Sequence, residues 1–402
     1  MDGLSPFIGS NGNWWIGNTD TGTKARGEQG VAGAPGKDGS DYVLTDTDKI
    51  EIAEQTASLI DISNFDNFLT NGSIGLKYAL YDDHAEFIGL GECTDTVVEI
   101  ASMVQGLYVT AIGVSALQNG NNITEVVIPK KVTSIDTRAF SGCSSLTNIT
   151  IPSNVTMIRG SAFYNCSSLT SIVLPDSVVR IDARTFSGCS GLTSITIPFV
   201  GSTSYPPTDT LQSPFGIIFG TSSYIGGVPT KQFYFGSNIP GSWTSETFYI
   251  PASLKSVTIT GGHIIPGAFS RCVNITSVTI GDRVMSIGDY AFWGCAGLTS
   301  VKIPDSVTGI ELAAFASCTS LENATIGNGV TNISDDVFNS CSSLTSVVIP
   351  DTVTGIGNGA FYGCKNLSDV YYTGTEEQWN TIAISANNTD LTNATIHYNW
   401  EA

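Results

Sequence analysis

Positive charge is scarce in this chain of 402 residues: 17 Lys and Arg stand against 36 Asp and Glu, a formal net charge of −19. Phosphate recognition needs a basic surface, so nucleic acid is excluded as a partner, and so is docking on an anionic membrane face. No run of 18 apolar residues occurs, which excludes membrane insertion by a spanning helix. The opening Met1–Pro6 has neither a basic nor an apolar region of signal type, so no secretory signal is expected. The three histidines, His84, His263 and His397, are scattered, and no CxxC pair occurs, so no metal site is expected. GxSxG, P-loop and HExxH motifs are missing. The carboxylates fall mostly in turns, as do Asp176, Asp305 and Asp351 after proline. No catalytic residue and no cofactor is therefore assigned, and the chain reads as a non-enzyme.

What is present is a repeat. Phe-x-x-Cys recurs at Phe140/Cys143, Phe163/Cys166 and Phe186/Cys189, then at Phe269/Cys272, Phe292/Cys295, Phe315/Cys318, Phe338/Cys341 and Phe361/Cys364. The spacing is 23 residues within each block and 83 between Cys189 and Cys272. Counting from each Cys, apolar residues fall at +3, +6, +8, +12, +15, +19 and +20, as in Leu146, Ile149, Ile151, Val155, Ile158, Ala162 and Phe163. The +6/+8 alternation is strand spacing. Pro152, Pro175, Pro304 and Pro350 at +9 should end that strand, because proline has no N–H for a ladder. One unit cannot bury this apolar set alone, whereas stacked units can. The period lies in the leucine-rich-repeat range. The expected fold is a leucine-rich-repeat solenoid with a parallel β-sheet along one side. Ile123, Val126 and Ile128 extend the frame outward with Gly120 in the Cys place; Ile100, Met103, Val109, Ile112 and Leu117 fit a degenerate unit before it. The total is about eleven coils. Eight cysteines at one repeat position should form an inward ladder of reduced thiols. A disulfide framework is disfavoured, since the total of nine is odd and Cys93 stands outside the period.

The phrases Ser144-Ser145-Leu146-Thr147, Ile303-Pro304-Asp305-Ser306-Val307-Thr308-Gly309-Ile310 and Ala360-Phe361-Tyr362-Gly363-Cys364 resemble the BspA-type bacterial leucine-rich-repeat family. The resemblance covers roughly residues 76–400, and Tyr371–Trp379 looks like the family's C-terminal cap. It implies a surface adhesin or ligand-binding protein and brings no shared catalytic residues.

The chain divides into an attachment segment (1–26), a collagen-like Gly-x-y stretch (27–40), a short helix or coiled coil (41–62) and a cap hairpin (63–96). Repeats (97–198), an aromatic-rich insertion (199–253), further repeats (254–372) and a C-terminal cap (373–402) follow. Gly27, Gly30, Gly33, Gly36 and Gly39 have triple-helix spacing, and a loose linker is the competing reading. Ile50, Ala53, Ala57 and Ile60 make a short seam that could join them in a homotrimer, or pack as an ordinary amphipathic helix. Residues 5–60 resemble N-terminal regions of phage tail-fibre and baseplate-associated proteins. That resemblance implies a stalk docked to tail or baseplate proteins, with Trp14 and Trp15 as anchors or as apolar plugs of a local fold.

Two surfaces are candidates for ligand binding. Positions +5 and +7 should face solvent from the sheet as a small, polar strip that includes Asn148, Thr150, Thr196, Thr279, Asn323 and Thr325. Its competing reading is solubility and β-propensity alone. In the insertion, Tyr205, Tyr224 and Trp243 are the candidate exposed aromatics, suited to glycan stacking or protein contact. The competing reading is a small core of the insertion's own. The leading expectation is a receptor-binding component of a phage tail, located in the virion, that recognises a bacterial surface glycan or protein. The alternative is a bacterial cell-surface adhesin.

Overall fold

The computed structural model describes residues 72–201, 214–235 and 243–401, together with three N-terminal strands. Those strands, Pro6–Ile8, Asn13–Ile16 and Thr19–Lys24, form an antiparallel meander. Trp14 and Trp15 lie on its middle strand, opposite Ile8 and Phe7. The collagen-like stretch, the 41–62 helix and Tyr205 lie outside the described residues.

The rest is a parallel β-solenoid of about 13 turns with a period of about 23 residues and, among the described residues, almost no helix. The turns outnumber the expected eleven because the ends break the period. Val98 pairs with Val126 across 28 residues, and Val370 with Ile396 across 26. The degenerate first unit also sits in a different register from the sequence frame. Val97–Glu99 takes the ladder position, while Met103–Val104 folds back antiparallel on Leu107–Ile112.

Each coil carries two short strands where the sequence frame has one. The front ladder uses +5 to +8, as in Ser171–Val173, Ser300–Lys302 and Ser346–Ile349. A second ladder uses +14 and +15, as in Met157–Ile158, Gly309–Ile310 and Gly355–Ile356. Proline at +9 separates the two in most coils; in the coil of Cys318, Gly327 stands there between two proline-bearing neighbours and the strands Asn323–Thr325 and Asn332–Ile333 are still separate. The two adjacent coils that carry Thr260 and Gly281 at +9 run through the corner as the long strands Ser256–Ile264 and Ser277–Ile287. With an N–H available on both neighbours, nothing ends the strand. The remaining corners turn at two left-handed positions per coil. One precedes the Cys (Gly142 φ 79°, Ser317 φ 60°, Ser340 φ 60°) and one stands at +18 (Ser161 φ 59°, Asp336 φ 57°).

The interior is a column of rings and thiols. Phe140, Phe163 and Phe186 stack with centroids 5.0 and 5.5 Å apart. Phe269, Phe292, Phe315, Phe338 and Phe361 continue at 5.0, 5.0, 5.6 and 5.3 Å. All of these rings are fully buried. Six of the nine thiols donate to the carbonyl of the Phe one coil back, among them Cys166 to Phe140, Cys189 to Phe163 and Cys318 to Phe292, at 3.1–3.2 Å, while Cys143 donates to the Leu117 carbonyl. A small apolar side chain with one weak donor is what this site needs. All nine cysteines are free and buried.

The insertion mends the column rather than interrupting it. Phe186 N–H donates to Ile218, and Phe215 N–H to Ala268, so the 3₁₀ turn Phe215–Ile218 stands where a regular coil would place its Phe segment. Phe219 lies 6.5 Å from Phe186, and Phe215 4.6 Å from Phe269. The hairpin Gly227–Phe235/Trp243–Pro251 then rides on the coils. Gln232, wholly buried, pins it: Oε1 accepts from Gly216 N–H at 2.6 Å and Nε2 donates to the Ala268 carbonyl at 3.0 Å.

Both open ends are covered. At the start, the antiparallel hairpin Lys77–Leu80/Ala85–Gly89 adds its second strand, in parallel, to Leu107–Ile112. At the finish, Thr375 and Gln378 form a reciprocal capping box on Glu376–Trp379. Inside the stack, Phe338 N–H donates to the Ala360 carbonyl of the next coil. Phe361 has no such coil, and the Asn388 side chain accepts its N–H at 3.1 Å instead.

Candidate binding face

The front ladder presents two rows of outward side chains, because strand residues alternate and the +6 and +8 partners are buried. Register pairs align the rows: Lys302 with Thr325, Thr325 with Val348, Val348 with Tyr371, and Tyr371 with His397. In the second block the rows and the +9/+10 corners enclose an open groove of about 1080 Å³. Its polar lining includes Ser277, Thr279, Asp282, Ser300, Lys302, Asp305, Thr325 and Asn328. Asp305 is fixed there by its own ladder, with Oδ1 accepting from Asn328 N–H at 2.7 Å. Upstream of the groove, Asp176 accepts from Thr260 Oγ1 at 2.6 Å and pairs with Arg283. The Arg283 guanidinium, and then the Thr260 hydroxyl, hold its carboxyl below the usual carboxylate range.

Of the strip residues named from sequence, Thr279 and Thr325 line this groove. Asn323 stands beside it, its Oδ1 accepting from Ser346 Oγ at 2.6 Å. Asn148 and Thr150 are exposed on the first block, and Thr196 is half-buried there. Among the described residues, no insertion aromatic lines the groove. Tyr224 is half-buried, its hydroxyl donating to the Tyr249 carbonyl at 2.9 Å, and burial pushes its pKa upward. It packs the insertion rather than projecting from it. Trp243 opens the second hairpin strand, opposite Phe235. Phe215, Phe219 and Phe248 form part of the core.

Sequence reasoning read the groove's corner residue Asp305 only as a turn former after proline and passed over Asp282 and Asn328, although all three repeat at +10 as surely as Thr279 and Thr325 do at +7. It also passed over Tyr371, which the same +7 spacing from Cys364 marks.

The repeats are where comparison with known proteins decides the family. The model of the BspA-type leucine-rich repeat region matches in 6 copies, over residues 110–205 and 262–391, more than half of the chain. The chain belongs to the BspA-type leucine-rich-repeat family. No curated protein matches this BspA-type chain. Among solved structures it is similar to a leucine-rich cell surface protein of Faecalibacterium prausnitzii, with 25% identity, 78% of this chain and 97% of that one covered, and a TM-score of 0.33. It is also similar to a leucine-rich repeat protein of Bacteroides ovatus (20% identity, 81% and 98% covered, TM-score 0.31) and to the T. pallidum leucine-rich repeat protein (20%, 73% and 88%, 0.30). The family match lies on the repeats and does not reach residues 5–60, where the tail-fibre resemblance lies.

Proposed function

We propose that this BspA-type protein is a non-enzymatic adhesion protein of the bacterial cell surface, holding an extended polar ligand, a glycan or protein segment of a host or neighbouring cell, along its front ladder. One observation carries the reading. The polar groove between Ser277 and Thr373 is built from the same few repeat positions of consecutive coils, so a ligand with its own linear repeat meets equivalent groups turn after turn. Weak contacts in register add up through effective concentration. Family membership favours this cell-surface reading over the virion reading, which rests on the N-terminal resemblance alone.

The test is adhesion of fluorescent beads carrying the full chain to a panel of gut bacterial and epithelial cells. Thr279→Arg combined with Thr325→Arg places long charged side chains across the groove without touching the core. Loss of adhesion with unchanged thermal stability is expected. Undiminished adhesion by this variant, or adhesion to no cell of the panel, refutes the reading.

A further inference from the structure

At its C-terminal end the front ladder changes character. The +7 row, Thr279, Lys302, Thr325 and Val348 in the groove, continues through Tyr371 to His397 on the last strand. Tyr371 is half-exposed, whereas its neighbour Tyr372 points the other way and is buried against Trp379, the rings edge-on at 5.2 Å. The Tyr371 ring has two close aromatic neighbours. His397 stacks on it at 4.8 Å and 17°, and Trp400 lies 4.3 Å away at 43°. Trp400 remains 42% exposed. The shelf is held in place. His397 Nε2 meets Asp369 Oδ1 at 2.7 Å, Asp369 Oδ2 accepts from Ser368 Oγ at 2.7 Å, and Trp400 N–H donates to the Tyr372 carbonyl at 3.0 Å.

Closing the last edge of the solenoid does not require these rings. The backbone pairing of Thr395–His397 with Asp369–Tyr371 does that, and threonine or valine occupies most of the same row elsewhere. An aromatic shelf with a carboxylate and an imidazole at its rim is a surface for a ring with an apolar face and hydroxyl edges. We propose that Tyr371 and Trp400 form a saccharide subsite that stacks a neutral pyranose, with Asp369 and His397 meeting its hydroxyls. The Asp369 carboxylate and the overall charge of −19 disfavour anionic sugars. Successive row positions stand about 4.8 Å apart, so a glycan chain leaving the shelf runs over Val348 and Thr325 into the groove. The subsite rests on the adhesion reading and names its ligand class.

The experiment is affinity electrophoresis of the full chain through gels containing mannan, galactan, α-glucan or β-glucan, beside the adhesion assay. At least one neutral polysaccharide is expected to retard the wild type. Tyr371→Thr, which restores the residue type of the row, and Trp400→Ala should each weaken retardation at least tenfold. Trp400→Phe should keep most of it, and thermal unfolding should shift little in Tyr371→Thr. The subsite is overturned by a wild type that none of these polysaccharides retards, or by a Tyr371→Thr protein that is retarded normally. Adhesion kept by Tyr371→Thr and Trp400→Ala likewise overturns the subsite while leaving the adhesion reading intact. Adhesion lost only on blocking the groove with the arginine pair has the same meaning.

Discussion

Replacing Phe292 by alanine probes the coil stack most directly. Its ring is wholly buried and lies 5.0 Å from Phe269 at 2° and 5.0 Å from Phe315 at 5°. Removing a buried phenyl costs about 3–5 kcal/mol in lost transfer energy and residual cavity. Here the gap opens between two rings whose stacking is worth about 0.5–1.5 kcal/mol per pair. The loss therefore belongs at the upper part of that range. Phe361 supplies the control, because it has a ring partner on one side only, Phe338 at 5.3 Å, and the cap residue Asn388 on the other. Phe361→Ala should cost less by about one ring pair, roughly 0.5–1.5 kcal/mol. Urea unfolding of the full chain, followed by circular dichroism and by hydrogen exchange of the flanking coils, measures both. Neighbouring coils bury each other, so protection should fall in the coils of Phe269 and Phe315 first. A loss below about 1 kcal/mol for Phe292→Ala, or equal losses at the two sites, would refute the reasoning, since a collapsing interior could then absorb the hole.

Other consequences are open to measurement. Burial pushes the thiols of Cys143, Cys189 and Cys295 up to about 12. The folded chain thus holds those protons where the unfolded chain, with ordinary thiols, has released them. The thiols' contribution to stability should be constant below about pH 8.5 and fall as pH rises toward 12; the nine thiols should resist a thiol reagent in the native state and react together on unfolding. Ser317→Gly and Ser340→Gly replace left-handed non-glycine residues at φ 60°. The steric relief of about 1–2 kcal/mol exceeds the added chain entropy of about 0.5–1 kcal/mol, so each should raise the unfolding midpoint. Gln232→Leu leaves the Gly216 N–H without its buried acceptor and takes one of two donors from the Ala268 carbonyl, which keeps the Phe215 N–H. It should cost about 1–3 kcal/mol, read as faster hydrogen exchange in 214–235 and 243–251 while distant coils keep theirs.

The stack was legible because its signal is repeated: a Phe, a Cys and alternating branched residues every 23 positions admit few other packings. The second ladder was not, because two residues at +14 and +15 are too short a run to show alternation. The role of Phe215 and Phe219 was equally hidden, since their insertion carries no period and only the gap they fill identifies them. The polar strip of the face could be placed from spacing alone. Its groove could not, because Asp282, Asp305 and Asn328 gain meaning only when the corners of three coils meet. Tyr224 misled for a physical reason: glycine and serine around an aromatic residue describe its neighbours in sequence, while its exposure depends on Tyr249, 25 residues away.

The direction of the ladders has a mechanical consequence. Backbone bonds join one coil to the next along the long axis, so tension between the two ends loads them one coil at a time. A coil that peels away frees about 23 residues, or roughly 75–80 Å of slack, where it had occupied a single strand spacing of about 4.8 Å. Under tension such a molecule lengthens stepwise, coil by coil, and the rings of Phe215 and Phe219 carry the packed column across the insertion.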